Sequence, residues 1–164
     1  MDGWAGQRLR VDLTKGAIMK EPLSYEYRKK WIGGRGFNSD IIYNEVPPEM
    51  SPFDPRTRVC FGVGPMNGTA APSTGRVTVT CKSPLTGGFG DSSMGGHWGA
   101  EVKYAGYDQI IVQGRAKKPV YIWIDDDKVE IRDASHLWGK FPRDADTMIK
   151  EELDDEDIHI MMIG

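Results

Sequence analysis

Few residues of this chain are equipped for chemistry, and most of them lie between Gly62 and Gly106. That stretch holds eleven of the twenty glycines, a run of small hydroxyl residues, and Arg76 where a glycine-rich loop meets an alternating apolar segment. Glycine offers nothing to bury and costs backbone entropy to order, so such a stretch is poor core material. Its use is close backbone approach to something large. Main-chain N–H groups and a guanidinium fork suit an anionic ligand rich in hydrogen-bond acceptors. Arg76 is the leading candidate, and Gly90–Gly96, reading GDSSMGG, has the composition of an anion-binding backbone nest. Within it Ser93, Met94, Gly95 and Gly96 are the candidate contacts. Arg35, in Gly33-Gly34-Arg35-Gly36, is a second basic candidate.

No catalytic residue is assigned. His97 sits in GGHWG, where it heads a helix rather than serving as a base, and His136 and His159 lie in amphipathic scaffold. Ser92 and Ser93 lack the G-x-S-x-G elbow of a hydrolase. Gly62, Gly64 and Asn67 miss the dinucleotide fingerprint by one residue, and no helix follows them. The acidic run Asp125–Asp127 lacks the spaced ligands and central glycine of a calcium loop and reads as a hairpin turn. Cys60 and Cys81 lie in apolar strand-like runs and read as small buried hydrophobes; two cysteines cannot hold an iron–sulfur cluster.

The elements that must position these residues follow from pattern. Residues 7–22 alternate around Gly16 and predict a hairpin, after which Ser24 opens a helix that the glycines at 33 and 34 break. Phe37–Glu45 resumes helical spacing until Pro47. Strands are expected over Arg58–Gly64 and Arg76–Cys81, then a long functional loop over Lys82–Trp98 and a short helix over Gly99–Tyr104. Strands at Gln109–Gln113, Val120–Asp125 and Lys128–Asp133 come next, the last two as a hairpin. A helical turn over Ala134–Gly139 leads to an amphipathic helix over Arg143–Leu153, with Ala145, Met148, Ile149 and Leu153 inward. Ile158–Ile163 reads as a final strand. The count predicts an α+β fold with two mixed or antiparallel sheets and short helices, without the β-α-β alternation of a Rossmann sheet.

At 164 residues the chain fits one domain, spanning 1–164. A net charge of −3 excludes a general nucleic-acid binder, which needs a basic excess. No apolar run reaches the length of a membrane span and no apolar leader opens the sequence, so a cytoplasmic location is expected. Its end on an uncapped hydrophobic run suggests a fragment of a larger enzyme, and the apolar, glycine-rich face suggests a homodimer.

Read together, WIGGRGFNSDIIYNEVPP, GPMNGTAAPSTGR, SPLTGGFGDSSMGGHWGAEVKYAGYD and EIRDASHLWGK resemble the N-terminal domain of the tungsten-containing aldehyde:ferredoxin oxidoreductases, in order and over essentially the whole chain. The resemblance implies a base of two β-sheets carrying a tungsten bis-pterin whose phosphates are bridged by magnesium. It implies that Arg76 meets a pterin phosphate and that Ser93–Gly95 runs beside the phosphates, with Ser93 giving magnesium a main-chain contact where the family often has Asn. The four-iron four-sulfur cluster would belong to later domains, since neither cysteine matches its ligands. Aldehyde and ferredoxin are the implied partners. Two alternatives stay open: a superfamily relative acting on another substrate, such as an aromatic acyl-CoA reductase subunit, and a non-catalytic pterin- or nucleotide-binding module.

Overall fold

A computed structural model describes residues 3–163. The chain opens with strands β1 (Gln7–Asp12) and β2 (Ala17–Pro22), whose turn is held by the Asp12 carboxylate accepting from the Thr14 and Lys15 amides and by Gly16 at φ +64°. Helices α1 (Tyr25–Trp31) and α2 (Arg35–Glu45) follow. Ser24 caps α1 by accepting from the Tyr27 amide at 3.2 Å, as its residue type predicts. Ile32, Gly33 and Gly34 then take positive φ in succession, which turns the chain into α2.

Strands β3 (Arg58–Val63), β4 (Val77–Lys82) and β5 (Phe89–Met94) lead to helix α3 (Trp98–Tyr104) and strand β6 (Gln109–Gln113). A hairpin of β7 (Val120–Asp125) and β8 (Lys128–Asp133) precedes α4 (Pro142–Leu153). The six-stranded sheet runs β2-β1-β6-β3-β4-β5, with β1 and β6 parallel and every other pair antiparallel; β7 and β8 form the second sheet. The expected pair of mixed and antiparallel sheets with short helices is therefore observed. Among the described residues no helix is long and apolar enough to cross a membrane.

Alternation along the strands gives the large sheet two covered faces. On one, Leu9, Val11, Val63, Val77 and Ile110 are buried with Val102 and Tyr107, and Ile122, Ile124, Val129 and Ile131 of the hairpin pack against them. On the other, Ile41, Ile42 and Val46 of α2 close over Cys60 and Ile111. Burial pushes the Cys60 thiol up to about 12, as befits a core hydrophobe. Asp108, fully buried, accepts from the Ala5 and Gly6 amides and from Lys103, which explains the AGYD run as a clamp on the N-terminal segment.

Two expectations need correction. Lys82–Trp98 is not a long loop. Ser83–Gly88 is a tight turn, closed by Ser83 N–H to Gly88 O and Gly87 N–H to Ser83 O at 2.8 Å each, and Phe89–Met94 returns as β5. Its sequence FGDSSM carries no apolar alternation because an edge strand with little to bury is specified by its ladder. Ile158–Ile163, expected as a strand, is irregular: its apolar residues find no partner strand among the described residues.

The α2 face also carries a chain of ion pairs. Arg10 grips Glu45 through both terminal nitrogens at 2.8 Å while its Nε meets Glu21 at 3.0 Å, and Arg58 and Arg8 take the outer positions on Glu45 and Glu21. Burial alone would raise the Glu45 pKa, but hydrogen bonds from Arg10 and Arg58 outweigh it and hold the group below its ordinary 4.5. A carboxylate whose pKa is lowered by folding stabilises the fold above its unfolded value, and that contribution disappears as pH falls through the folded value. The thermal midpoint should hold steady above about pH 5 and drop below it. Glu45→Gln should cost roughly 1–2 kcal/mol at neutral pH and shrink the acid drop; a wild-type-minus-variant difference that stays constant with pH would contradict this.

Candidate functional site

The β4–β5 ladder pairs Val77 with Met94 and Thr78 with Ser93. Continued one residue outward, it sets Arg76 opposite Gly95. Beyond that, Gly75 lies against Gly96 so closely that a Cβ on Gly75 would sit 2.6 Å from the Gly96 carbonyl oxygen. Arg76, expected as the first residue of its strand, stands just before β4. The ladder thus brings the candidates Arg76, Ser93, Met94, Gly95 and Gly96 to one end of the sheet's outer edge.

Their surroundings differ. Ser93, Gly95, Gly96 and Arg76 are exposed, and a Cβ on Gly95 or Gly96 would meet nothing within 4 Å. Gly96 holds φ +100°, a conformation that L side chains rarely adopt. Met94 is half-buried, its side chain packed against the core beneath, so the ledge takes only its main chain. No carboxylate of the described residues pairs with the Arg76 guanidinium.

Other glycines of the same stretch have a different purpose. A Cβ on Gly62 would lie 2.5 Å from the Gly34 carbonyl, and one on Gly99 would lie 2.8 Å from both Asn67 Nδ2 and Val77 Cγ2. These positions let α2 and α3 lie directly on the sheet. The expectation that the whole stretch meets a ligand is thereby narrowed to its Arg76–Gly96 end.

Asn67 is a support of the candidate site that pattern alone did not reveal. Buried, it accepts from the Gly64 amide and donates to the Arg76 carbonyl, both at 3.0 Å, so the PMNG turn sets the level at which β4 begins. His97 is exposed and caps α3, with its carbonyl accepting from Ala100 at 2.8 Å. Its ring lies 5.3 Å from that of His159. Arg35, unlike Arg76, is paired with a carboxylate, that of Asp91, through Nε and Nη2.

Two shallow clefts lie elsewhere, one along α1 and α2 beside Trp31 and Tyr43, the other beneath the β4–β5 turn beside Lys82 and Phe89. The Arg76–Gly96 surface, with Arg76, Gly95 and Gly96 exposed and free space above both glycines, is an open ledge. A ledge built of main chain and one guanidinium can take an extended anionic group laid flat on it, and it needs a second body to close over that group.

Residues 8–164 match the family model of the aldehyde ferredoxin oxidoreductase N-terminal domain. The whole chain is 47% identical to the tungsten-containing aldehyde ferredoxin oxidoreductase of Pyrococcus horikoshii and 44% identical to that of Pyrococcus furiosus, covering 27% of each. It spans, in other words, about a quarter of the length of these curated relatives. Over 142 residues, 85% of this chain and 22% of the relative, it is 37% identical to the WOR-like subunit of an aliphatic sulfonate oxidoreductase of P. furiosus. Among solved structures, the active site complex BamBC of benzoyl coenzyme A reductase with 1,5 dienoyl-CoA superposes with a TM-score of 0.92 at 42% identity, covering 94% of this chain and 24% of that one.

Packing glycines and ledge glycines should separate by experiment. Gly62→Ala should lower stability in denaturant titration by about 1–3 kcal/mol, the usual cost of forcing atoms into a filled contact. Gly95→Ala should change it by less than about 0.5 kcal/mol. Equal losses would mean that the ledge is not open.

Proposed function

The chain belongs to the aldehyde ferredoxin oxidoreductase family, and from that premise we propose that it is the cofactor-bearing base of a tungsten enzyme that oxidises aldehydes to carboxylic acids and delivers the electrons to ferredoxin. The observation that carries the proposal is the ledge: an arginine with no carboxylate partner among the described residues, beside two exposed glycines. Every feature there fits the phosphate end of a bis-pterin. A Cβ at Gly95 or Gly96 would occupy the space the group needs, and a guanidinium presents two parallel donors to a phosphate.

When bound, the tungsten bis-pterin supplies the two-electron exchange with substrate. This chain's residues supply its seat. Arg76 neutralises phosphate charge, Gly95 and Gly96 admit the group against their amides, and Met94 anchors the segment to the core. Ser93 offers magnesium a main-chain carbonyl, which suits an ion that keeps most of its waters and takes few protein oxygens. Cys60 stays a buried thiol, so the four-iron four-sulfur cluster falls to other parts of the whole protein. On this reading the partners are an aldehyde and ferredoxin, the compartment is the cytoplasm, and exposed apolar residues such as Leu85 and Phe53 are surfaces for the rest of the enzyme or a second subunit.

The likeness to the benzoyl coenzyme A reductase structure favours a second reading, in which the same base serves reduction of an aromatic acyl-CoA. Turnover by the complete protein of an aldehyde with ferredoxin, against an aromatic acyl-CoA, separates the two.

Both readings require the seat. Arg76→Ala in the complete protein should lower tungsten per chain about ten-fold, the loss expected for a charge-assisted pair of hydrogen bonds. The melting temperature should barely move. Equal tungsten in wild type and variant, by elemental analysis, would remove Arg76 from the site.

A further inference from the structure

Strand β5 carries the ledge, yet little holds it. It is the outermost strand of its sheet, paired with β4 alone, and its side chains bury little. One of them is tied down. Asp91 has a side chain only 17% exposed, with Oδ2 gripped by Arg35 Nε at 2.6 Å and Nη2 at 2.5 Å. Its Oδ1 accepts from Thr80 Oγ1 at 3.3 Å. Thr80 in turn accepts from Asn38 Nδ2 at 3.1 Å, and the same Asn38 amide reaches the Cys60 and Thr78 carbonyls. Gln109 Nε2 then donates to Asn38 Oδ1 at 3.0 Å. Asn38, Thr80 and Gln109 are fully buried. A continuous polar chain therefore runs from the middle strand β6, through α2 and β4, to the edge strand two residues before Ser93.

We propose that Arg35 and Asp91 are positioning residues for the cofactor seat: their pair clamps β5 to the first turn of α2 and so fixes the height at which Ser93–Gly96 meets a phosphate-bearing group. The inference rests on the function proposed above for the ledge, but its mechanical half does not. Arg35 is 64% exposed, so the pair contributes little to global stability. Its effect is local, because Asp91 supplies β5 with a side-chain attachment to the helix layer. It also explains why a basic residue stands directly after the two glycines that open α2.

The test uses Asp91→Asn, Arg35→Gln and the double variant. In the chain itself, amides of residues 89–94 that bond to β4 should exchange hydrogen about five-fold faster in each single variant, with the core strands unchanged. The double variant should be no worse than either single, as expected of two residues that act through one contact. In the complete protein, tungsten per chain should fall in the same three variants by similar factors, and Asp91→Glu should restore part of it. Unchanged exchange in β5 would overturn the clamp. A tungsten loss for Arg35→Gln well beyond that of Asp91→Asn would overturn it too, since Arg35 would then be acting on the cofactor directly. Arg76→Ala serves as the control: if it retains tungsten, the function assigned to the ledge fails, while the exchange data still decide whether β5 is clamped.

Discussion

The structure depends on how closely the first turn of α2 lies on β3 and β4. The Gly34 amide donates to the Val63 carbonyl at 3.0 Å, and the space where Gly62 would carry a Cβ is filled by the Gly34 carbonyl and Asn38 Oδ1. Only glycine at position 62 lets backbone meet backbone, while Gly34 holds φ +51°, which L side chains rarely adopt. Asn38 can then reach two strand carbonyls and Thr80, which satisfies polar groups that burial would otherwise penalise by about 1–3 kcal/mol each. Helix and sheet become one body, and the edge of that body is where Arg76 and Gly96 stand.

Charge on the α2 face shows why Arg76 differs from its neighbours. Arg8, Arg10, Arg35 and Arg58 each face a carboxylate of this chain. Their positive charge is consumed in holding strands and helix together. Arg76, exposed just before β4, pairs with no carboxylate among the described residues. Its backbone is held by Asn67 while its side chain is left open, the arrangement on which the proposed phosphate seat rests.

Much of this was legible in the residues. Alternation gave β1, β2, β4, β7 and β8, Ser24 marked the start of α1, and the glycine count pointed to the region of the ledge. What stayed hidden depended on partners distant in sequence. β5 has no pattern of its own, since its place comes from pairing with β4 and from Arg35, 56 residues away. Glycines that pack helix on sheet look the same in sequence as glycines that face open space; only the atoms around Gly62 and Gly95 tell them apart. The apolar run after His159 matched a strand in composition, but composition cannot supply the neighbouring strand that an extended segment needs.

The most direct test is a diffraction structure of the complete protein with its metal located by anomalous scattering at the tungsten edge. A phosphate oxygen should lie about 3 Å from the Arg76 guanidinium, with the group resting against Gly95 and Gly96. Tungsten seated elsewhere, with the ledge covered by side chains and Arg76 turned to solvent, would contradict the account.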